Sequence, residues 1–507
     1  MRLIYLIAVG LALSIGWGIR GNFGHEYGAM IPGALAAMTA ALLSGREDWQ
    51  KRAPLAGFFG ALGWSFGGSI SYMQVISYTH SGHSPSVLYG FACLFVIGFL
   101  WGAPGGAGTA LAVCFDRKRL DGLLPAVLAV FAGWTLQDLI IDRWLAFDDS
   151  AFRHENPLYW YDTDWLGALV AIISIVALAA IRRKWDEGCS LVLYMAIGWW
   201  IGFLLLVIAL GLRMTPPRGD NWAGMLGMVG GLCAYLWRRG DRAVLWATLC
   251  AGFWGGFGFA FATLLKLIEI KSGLETNWHS VLEQTYGFIN GLGIAVAMWS
   301  LRSRAPIASE FEARPWTQKF AVAFVLLGIT YLNLSKNPER WVEAKAFPAE
   351  IYGFAPGMWF AAAYLLLLGL LLWILKMRPL LIPQSSTGRG QLMCLLFLWW
   401  MVAGNFERAI IGFAPQRMVT EGVIFLNATL LTCLLIRRPV IPQIQTSAFT
   451  LARITSLGTA VFLATSLGSW GIVRAIYGNE FARHGGLHMR FGTNGPAAGP
   501  VKGRPHP

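Results

Sequence analysis

The chain has 507 residues, of which 56% are apolar and only 13% are charged, and its net charge is +13. Soluble domains carry about 25% charged residues, so this chain has too few to cover a surface in water. Its length would suggest about three soluble domains, but long apolar runs recur along the whole chain and exclude that organisation. A helix needs about 20 mainly apolar residues to cross a bilayer. The composition therefore predicts an all-α integral membrane protein, a polytopic helical bundle.

The apolar runs predict about 14–15 transmembrane helices. In chain order, the candidate spans are residues 3–19, 27–44, 53–76, 86–115, 122–141, 164–182, 190–212, 221–237, 243–268, 281–301, 317–335, 355–376, 390–406, 418–436 and 453–476. The second span contains Pro32-Gly33, and the fourth contains a glycine-rich run at 102–108. Irregular backbone survives in a membrane only where protein or a water-filled cavity surrounds it. We therefore expect both spans to pack inside the bundle.

Basic clusters in every second loop set the predicted orientation, because Lys and Arg mark cytoplasmic loops. The clusters are Arg46/Lys51/Arg52, Arg117/Lys118/Arg119, Arg182/Arg183/Lys184, Arg238/Arg239/Arg242, Arg302/Arg304/Arg314/Lys319, Lys376/Arg378/Arg389 and Arg437/Arg438/Arg453. No small-residue cleavage site follows the first apolar run, so we expect it to remain as a span. The pattern predicts a bacterial inner-membrane protein with a cytoplasmic N-terminus and an extracytoplasmic C-terminus. The positive charge then faces the inner leaflet, which makes the lipid bilayer the expected partner and excludes nucleic acid.

An offset of 195 residues aligns the chain with itself. Residues 56–66 (AGFFGALGWSF) match residues 251–261 (AGFWGGFGFAF), and Gly404-Asn405-Phe406 faintly repeats Gly21-Asn22-Phe23. The offset carries span 2 onto span 8, so the copies have the same orientation, as in the parallel repeats of some transporters. We predict a first half with spans 1–6 at 1–189 and a second half with spans 7–12 at 190–385. Spans 13–15 follow at 386–476, and a polar, disordered tail occupies 477–507.

Polar side chains gather at the outer ends of the predicted spans, while the inner halves are almost entirely apolar. A charge inside a bilayer is costly and usually functional. We predict one outward-opening cavity, in which arginines hold an anionic group and a carboxylate moves a proton. The candidate catalytic residues are Glu283, Glu26 and Asp138, and the candidate substrate-binding residues are Arg20, Asn22, His25, Arg213, Asp220 and Arg408. Glu283 leads because a long apolar run follows it and no Lys or Arg lies nearby in the sequence.

Each candidate has a purely structural alternative. The arginines could anchor helix ends at the lipid headgroups. Glu26 and Asp220 fall where helices begin and could cap them. Asp138, with Asp142 one turn later, could form a local ion pair with Arg143.

Two further motifs favour the structural interpretation. His80 and His83 have metal-ligand spacing but lie in a Ser/Gly loop without an acid, so we predict no metal site. The glycine run at 102–108 lacks the Gly-Lys-Ser/Thr ending of a phosphate loop, and close helix packing explains it better. The seven cysteines form no Cys-x-x-Cys pair, and the sequence leaves any cofactor unknown.

An acid in the first outer loop, Glu26, and a cavity that opens outward resemble the layout of multi-pass glycosyltransferases that use polyprenyl-phosphate sugars. The resemblance implies a lipid-linked substrate. The paired acids of that class are absent, because His25 precedes Glu26. Three functions follow: a transferase-like membrane enzyme acting on a lipid-linked or periplasmic substrate, a secondary transporter of a small anionic solute, or a non-catalytic scaffold or sensor. Alternating access needs polar groups near the midplane, so the apolar inner halves favour the enzyme.

Overall fold

The computed structural model describes residues 2–24, 26–67, 70, 72–144, 160, 163–214, 221–310, 312–378, 382–383, 385–411, 415–437 and 451–478. The predicted tail lies outside the described residues from position 479 onward. The regular structure in the described part is almost entirely helical, which confirms the predicted all-α class. The helices are α1 (Arg2–Arg20), α2 (Glu26–Leu42), α3 (Glu47–Lys51), α4 (Ala53–Phe66), α5 (Met73–Tyr78), α6 (Ser84–Cys114), α7 (Arg117–Asp138), α8 (Trp165–Arg182), α9 (Glu187–Gly202), α10 (Asn221–Arg239), α11 (Arg242–Lys271), α12 (Trp278–Arg302), α13 (Pro315–Ala323), α14 (Thr330–Leu334), α15 (Asn337–Glu343), α16 (Pro356–Met377), α17 (Ser386–Ile410), α18 (Pro415–Arg437) and α19 (Leu451–Tyr477).

A helix lies at each predicted span, but the count of 14–15 spans is not confirmed, because α10 and α12, at the predicted spans 221–237 and 281–301, are not among the candidate membrane spans of the described residues. Within the described residues, 11 helices are long and apolar enough to cross a membrane, and α2 and α4 are shorter apolar helices. Together they establish a multi-pass helical membrane protein. The span predicted at 53–76 differs, because α4 ends at Phe66 and a separate α5 begins at Met73. Two glycines follow Phe66 in the sequence, and glycine is a poor helix former.

α6 packs between α4 and α11, with small residues at both contacts. A Cβ on Gly102 would lie 2.3 Å from the carbonyl oxygen of Ala251 on α11, and one on Gly108 would lie 2.1 Å from that of Phe59 on α4. Only glycine allows backbones to approach this closely. The run at 102–108 is therefore a packing surface, which confirms the structural interpretation of this motif. Both α2 and α6 are largely buried, as the proline and glycine residues in these two spans predict.

Contacts between loops define two ends of the bundle. At the first, which we name the basic end, Arg46 donates to the carbonyl of Ala305 (2.7 Å) and Arg52 donates to the carbonyl of Phe115. At the second, the Arg20 end, the loop after α1 contacts the end of α17. Basic loops that are 60 to 260 residues apart thus meet at one end. If the chain crosses the membrane at each predicted span, every second loop must lie on the same side, and these basic loops do lie together.

Helices from the two predicted halves share one hydrophobic core. α1 packs along α12, and α6 packs along α11, so each pair joins the two halves. In the first half α2 packs on α4, where Gly33 faces Gly60, but in the second α10 packs on α9, where Gly198 faces Gly227. α2 and α10, which the predicted repeat would make equivalent, thus pack against helices that are not equivalent. The 195-residue repeat stays a prediction.

Candidate functional site

A buried ion pair joins the two halves of the chain at the Arg20 end. Arg20, the last residue of α1, places its Nη1 at 2.9 Å from Oε1 of Glu283, in the second turn of α12. Arg20 is 1% exposed and Glu283 is 4% exposed. Removing either partner would leave the other as an uncompensated buried charge. The structure therefore brings together two of the residues that the sequence singled out.

Tyr72 and His279 extend this pair toward the surface. The Tyr72 hydroxyl donates to Glu283 Oε1 at 3.1 Å and lies 3.2 Å from His279 Nε2. His279 is one turn before Glu283 on α12, with its Nε2 3.6 Å from Oε1. The His279 side chain is 35% exposed, in contrast to the other three. We call Arg20, Tyr72, His279 and Glu283 the Arg20 cluster.

Aromatic rings surround the guanidinium on the interior side. The Arg20 Cζ lies 4.7 Å from the ring centre of Trp17 and 5.4 Å from that of Trp101. Such cation–π contacts hold a desolvated cation by about 2 kcal/mol each. Below them, Tyr286 accepts a hydrogen bond from Asn290 Nδ2 at 2.9 Å. A column of polar groups on α12 thus runs from the helix start to its middle.

The short loop after α1 covers the pair. A Cβ on Gly21 would lie 2.4 Å from Glu283 Oε2, so a side chain at position 21 would displace the carboxylate. The loop is held by the Asn22 side chain, which donates to Asn405 Oδ1 at 2.6 Å, and by Lys336 Nζ, which donates to the carbonyl of Phe23 at 2.6 Å. The cavity expected to open outward is closed at this point. Tight packing of the loop and the aromatic rings is the physical reason.

The other predicted residues occupy several places. Arg408 is near the covering loop: its Nη1 donates to the carbonyl of Lys336 at 2.9 Å, and its guanidinium lies over the Phe23 ring. Asp138 ends α7 and is exposed, in contrast to Glu283. The carbonyl of Arg213 accepts a hydrogen bond from Tyr89 at the start of α6. His25, Asp220 and the side chain of Glu26 lie outside the described residues.

Sequence reasoning missed Tyr72, Trp17 and Trp101 as neighbours of the pair. Tyr72 was assigned to a continuous span, although the two glycines after Phe66 signalled a break. His279 was also missed: it lies four residues before Glu283, the spacing of neighbours on a helix, but two residues before the predicted span 281–301. Lys336 escaped notice because it follows a predicted span directly.

The basic end is closed by charged side chains that pair with one another. Arg117 Nε lies 2.8 Å from Asp121 Oδ1, and Arg117 Nη2 donates to Thr317 Oγ1 at 2.6 Å. Arg52 pairs with Glu310 beside them. We call these five residues the basic-end network. The sequence pattern does not reveal this network, because basic loops are expected to face lipid headgroups and water.

A carboxylate beside the network shows the same stabilisation by partners. Burial alone would raise the pKa of Asp48, but hydrogen bonds from Arg46 and from the Ala308 N–H hold the pKa of this carboxyl below its ordinary value. Asp48 therefore stays ionised and fixes the loop that precedes α13. Charged side chains from distant loops are thus paired at the basic end.

The chemistry that the Arg20 cluster offers is anion binding and proton transfer. It combines a fixed guanidinium, a carboxylate, a phenol and an imidazole within hydrogen-bonding reach. Within the part of the chain that the structure describes, no group of three His, Cys, Asp or Glu side chains is placed to hold a metal ion. Comparison with protein-family models, with curated proteins and with solved structures found no match for this chain.

Proposed function

We propose that this protein is a membrane-embedded enzyme, of the transferase kind, that acts from the Arg20 end on a lipid-linked or periplasmic substrate with an anionic group. One observation carries the proposal: a buried Arg–Glu pair with adjoining Tyr and His lies at that end. Intramembrane ionisable groups are expensive and mark functional sites by default. The opposite end is sealed by the basic-end network, so substrate would approach from the Arg20 end.

Arg20 and Glu283 take complementary roles in this proposal. The anionic group of the substrate replaces Glu283 Oε1 on the guanidinium, which the aromatic rings hold in place. The released carboxylate accepts the proton of an acceptor hydroxyl, and the hydroxyl oxygen bonds to the donor carbon that carries the phosphate. The bond between that carbon and the phosphate oxygen breaks. The phosphate of a lipid-linked donor leaves with the bonding electrons and is held by Arg20. Tyr72 and His279 then pass the proton from Glu283 to water.

The covering loop must move for substrate to enter. Its anchors are the Asn22–Asn405 hydrogen bond and the Lys336 ammonium on the Phe23 carbonyl. Both are polar contacts near the surface, where water can replace them. We propose that the Arg20 end faces the periplasm of a bacterial inner membrane, because the basic clusters at the other end favour the cytoplasm.

A second candidate function is secondary transport of a small anionic solute. Asn290 favours it, because this residue lies at the middle of α12, is fully buried, and its Oδ1 has no hydrogen-bond partner within the described residues. Transporters place such groups at the membrane midplane. The paired charges at the basic end argue against an open path on that side.

The test compares lipid and envelope extracts from cells that produce the wild-type chain, Glu283→Gln, Arg20→Lys or no protein. We expect a lipid-linked or envelope product that depends on the wild-type chain and is lost in Glu283→Gln. Glu275→Gln, in the exposed loop before α12, is the matched control and should retain the product.

Binding is measured separately, with polyprenyl phosphate added to the protein in nanodiscs and tryptophan fluorescence as the signal. Arg20→Lys keeps the charge but loses the planar fork, and we expect about 10- to 100-fold weaker binding, as for a lost charge-assisted hydrogen bond of about 1.5–3 kcal/mol. Identical extracts from all strains, together with solute uptake that depends on the wild-type chain, would replace the enzyme with the transporter.

A further inference from the structure

A second buried carboxylate, Glu421, lies at the Arg20 end outside the Arg20 cluster. It is 5% exposed and lies in α18, within the candidate membrane span Arg417–Arg437. Asn405 Nδ2, on α17, donates to Glu421 Oε2 at 2.7 Å. Asn405 Oδ1 accepts in turn from Asn22 Nδ2 at 2.6 Å. A chain of three polar side chains thus connects Glu421 to the loop that covers Arg20.

Glu421 forms no ion pair among the described residues. The charged and imidazole groups that the neighbouring helices carry at the Arg20 end are Arg20 on α1, His279 and Glu283 on α12, Glu407 and Arg408 on α17, and Arg417 on its own helix. Arg20 is engaged by Glu283, and Arg408 donates to the carbonyl of Lys336. Arg417 lies one turn earlier on α18, and its positive charge attracts the Glu421 carboxylate, but the two side chains form no ion pair within the described part. The one described hydrogen bond of Glu421 comes from a neutral amide.

An ionised carboxylate in this position would be costly. A charge inside a membrane span is costly, and an unpaired buried charge costs more than a paired one. A bound proton removes the charge. The hydrogen bond from Asn405 occupies Oε2 of Glu421, so Oε1 of the same carboxyl group is left to carry the proton. Gln284 supplies an amide oxygen at the same helix junction: its Nε2 donates to the Thr420 carbonyl at 3.1 Å, and its Oε1 has no partner within the described residues.

We propose that Glu421 is a proton-binding site, which holds its proton at neutral pH and is linked through Asn405 and Asn22 to the loop over the Arg20 cluster. The ligand is the proton itself, and a sodium ion on the same carboxylate is the competing outcome. Release of the proton would place a negative charge beside Asn405 and change the contact that anchors the loop. This site is independent of the proposed transfer reaction.

The first measurement is infrared spectroscopy of the protein in lipid vesicles at neutral pH. A protonated carboxyl has its own C=O stretch, and we expect one such band that Glu421→Gln removes. Arg417→Gln is the matched control and should retain the band, because Arg417 makes no ion pair with Glu421. Absence of a band that Glu421→Gln removes would overturn the proposal, and so would a band that disappears when sodium chloride replaces potassium chloride.

The second measurement needs no variant that must fold. A membrane-soluble carbodiimide reacts with protonated carboxyls, and mass spectrometry of the modified wild-type chain locates the adduct. We expect an adduct at Glu421 and none at Glu283, whose carboxylate is paired with Arg20. Labelling should weaken at alkaline pH, when the proton is lost. An adduct at Glu283 without one at Glu421 would overturn the proposal. The readouts are spectroscopic and chemical, so failure of the transferase function would leave them unchanged.

Discussion

Arg20 shows how a single residue can be charged and still lie in the protein interior. Its guanidinium contacts Glu283 on one side and the rings of Trp17, Tyr72 and Trp101 on the others. The carboxylate neutralises the charge, and the rings replace part of the lost hydration. The stability of this arrangement depends on the complete set, since neither charge is tolerated alone.

Replacing Arg20 by Ala should therefore destabilise the fold strongly. We expect a loss of about 3–5 kcal/mol in the free energy of unfolding, because Glu283 would remain buried without a partner. Glu283→Gln should cost less than Arg20→Ala, because glutamine keeps the hydrogen bond from Tyr72 and the rings of Trp17 and Trp101 still hold the Arg20 cation. Thermal unfolding in detergent, followed by tryptophan fluorescence, measures both.

The double replacement Arg20→Met with Glu283→Leu is the control for this prediction. It removes both charges, so it should be more stable than Arg20→Ala despite changing more atoms. Equal losses in the double variant and in Arg20→Ala would show that packing of the arginine stem, and not the charge, sets the stability.

The sequence identified Arg20 and Glu283 but could not pair them. Each is a charged residue next to an apolar run, and that signal is local. Their contact spans 263 residues and arises from the packing of α1 on α12, which no local pattern encodes. Tyr72 was missed for a related reason, because the apolar run predicts one continuous span at 53–76, across the glycines that follow α4.

At the scale of elements, α6 determines how closely the centre of the bundle packs. Its glycines allow α4 and α11 to approach on two sides, while lipid offers no hydrophobic drive for helices to associate. Close van der Waals contact between backbones must then supply the attraction. The glycines that allow this contact are those at which a carbonyl oxygen of the neighbouring helix occupies the space that a Cβ would need.

Gly102→Ala should disrupt this contact. The new Cβ would lie 2.3 Å from the carbonyl oxygen of Ala251, so α11 must shift, at a cost of about 1–3 kcal/mol. Gly369→Ala in α16 is the matched control, because nothing lies within 4 Å of its Cβ position and alanine favours a helix by about 1 kcal/mol. Melting temperatures of the two variants should move in opposite directions. A shift in the same direction would mean that the α6–α11 contact is not tight.

Helices were the easiest elements to predict, because each apolar run has the length that a bilayer demands. The ends of the helices were harder to predict. α6 begins at Ser84 and α7 begins at Arg117, each a few residues before the predicted start, because polar residues continue a helix beyond the apolar run. The neighbours of each helix depend on side-chain fit, and composition does not specify them.

At the scale of the whole molecule, the two ends differ in how charge is used. The basic end pairs its charges with carboxylates from distant loops, whereas the Arg20 end holds a few buried groups within aromatic rings. The alternation of basic clusters along the sequence predicted that these loops share one end. The pairing within that end required knowledge of which loops are adjacent.

Orientation in the membrane is tested by labelling single cysteines in a background without native cysteine. Glu275→Cys lies in an exposed loop at the Arg20 end, and Lys118→Cys replaces a side chain that is 69% exposed at the basic end. We expect an impermeant maleimide to label position 275 in intact spheroplasts, and position 118 only after permeabilisation. Labelling of both positions from one side would contradict the orientation and the proposed approach of substrate.

The separation of Arg20 and Glu283 along the chain has a consequence for biosynthesis. A ribosome adds about 5–20 residues per second, so 263 residues require about 13–50 s. During that interval α1 has entered the membrane with a cation whose counter-ion does not yet exist. Trp17, one turn earlier on the same helix, is present from the outset, and Tyr72 follows after 52 residues. The aromatic residues are thus the first groups available to contact the Arg20 cation, before α12 is synthesised.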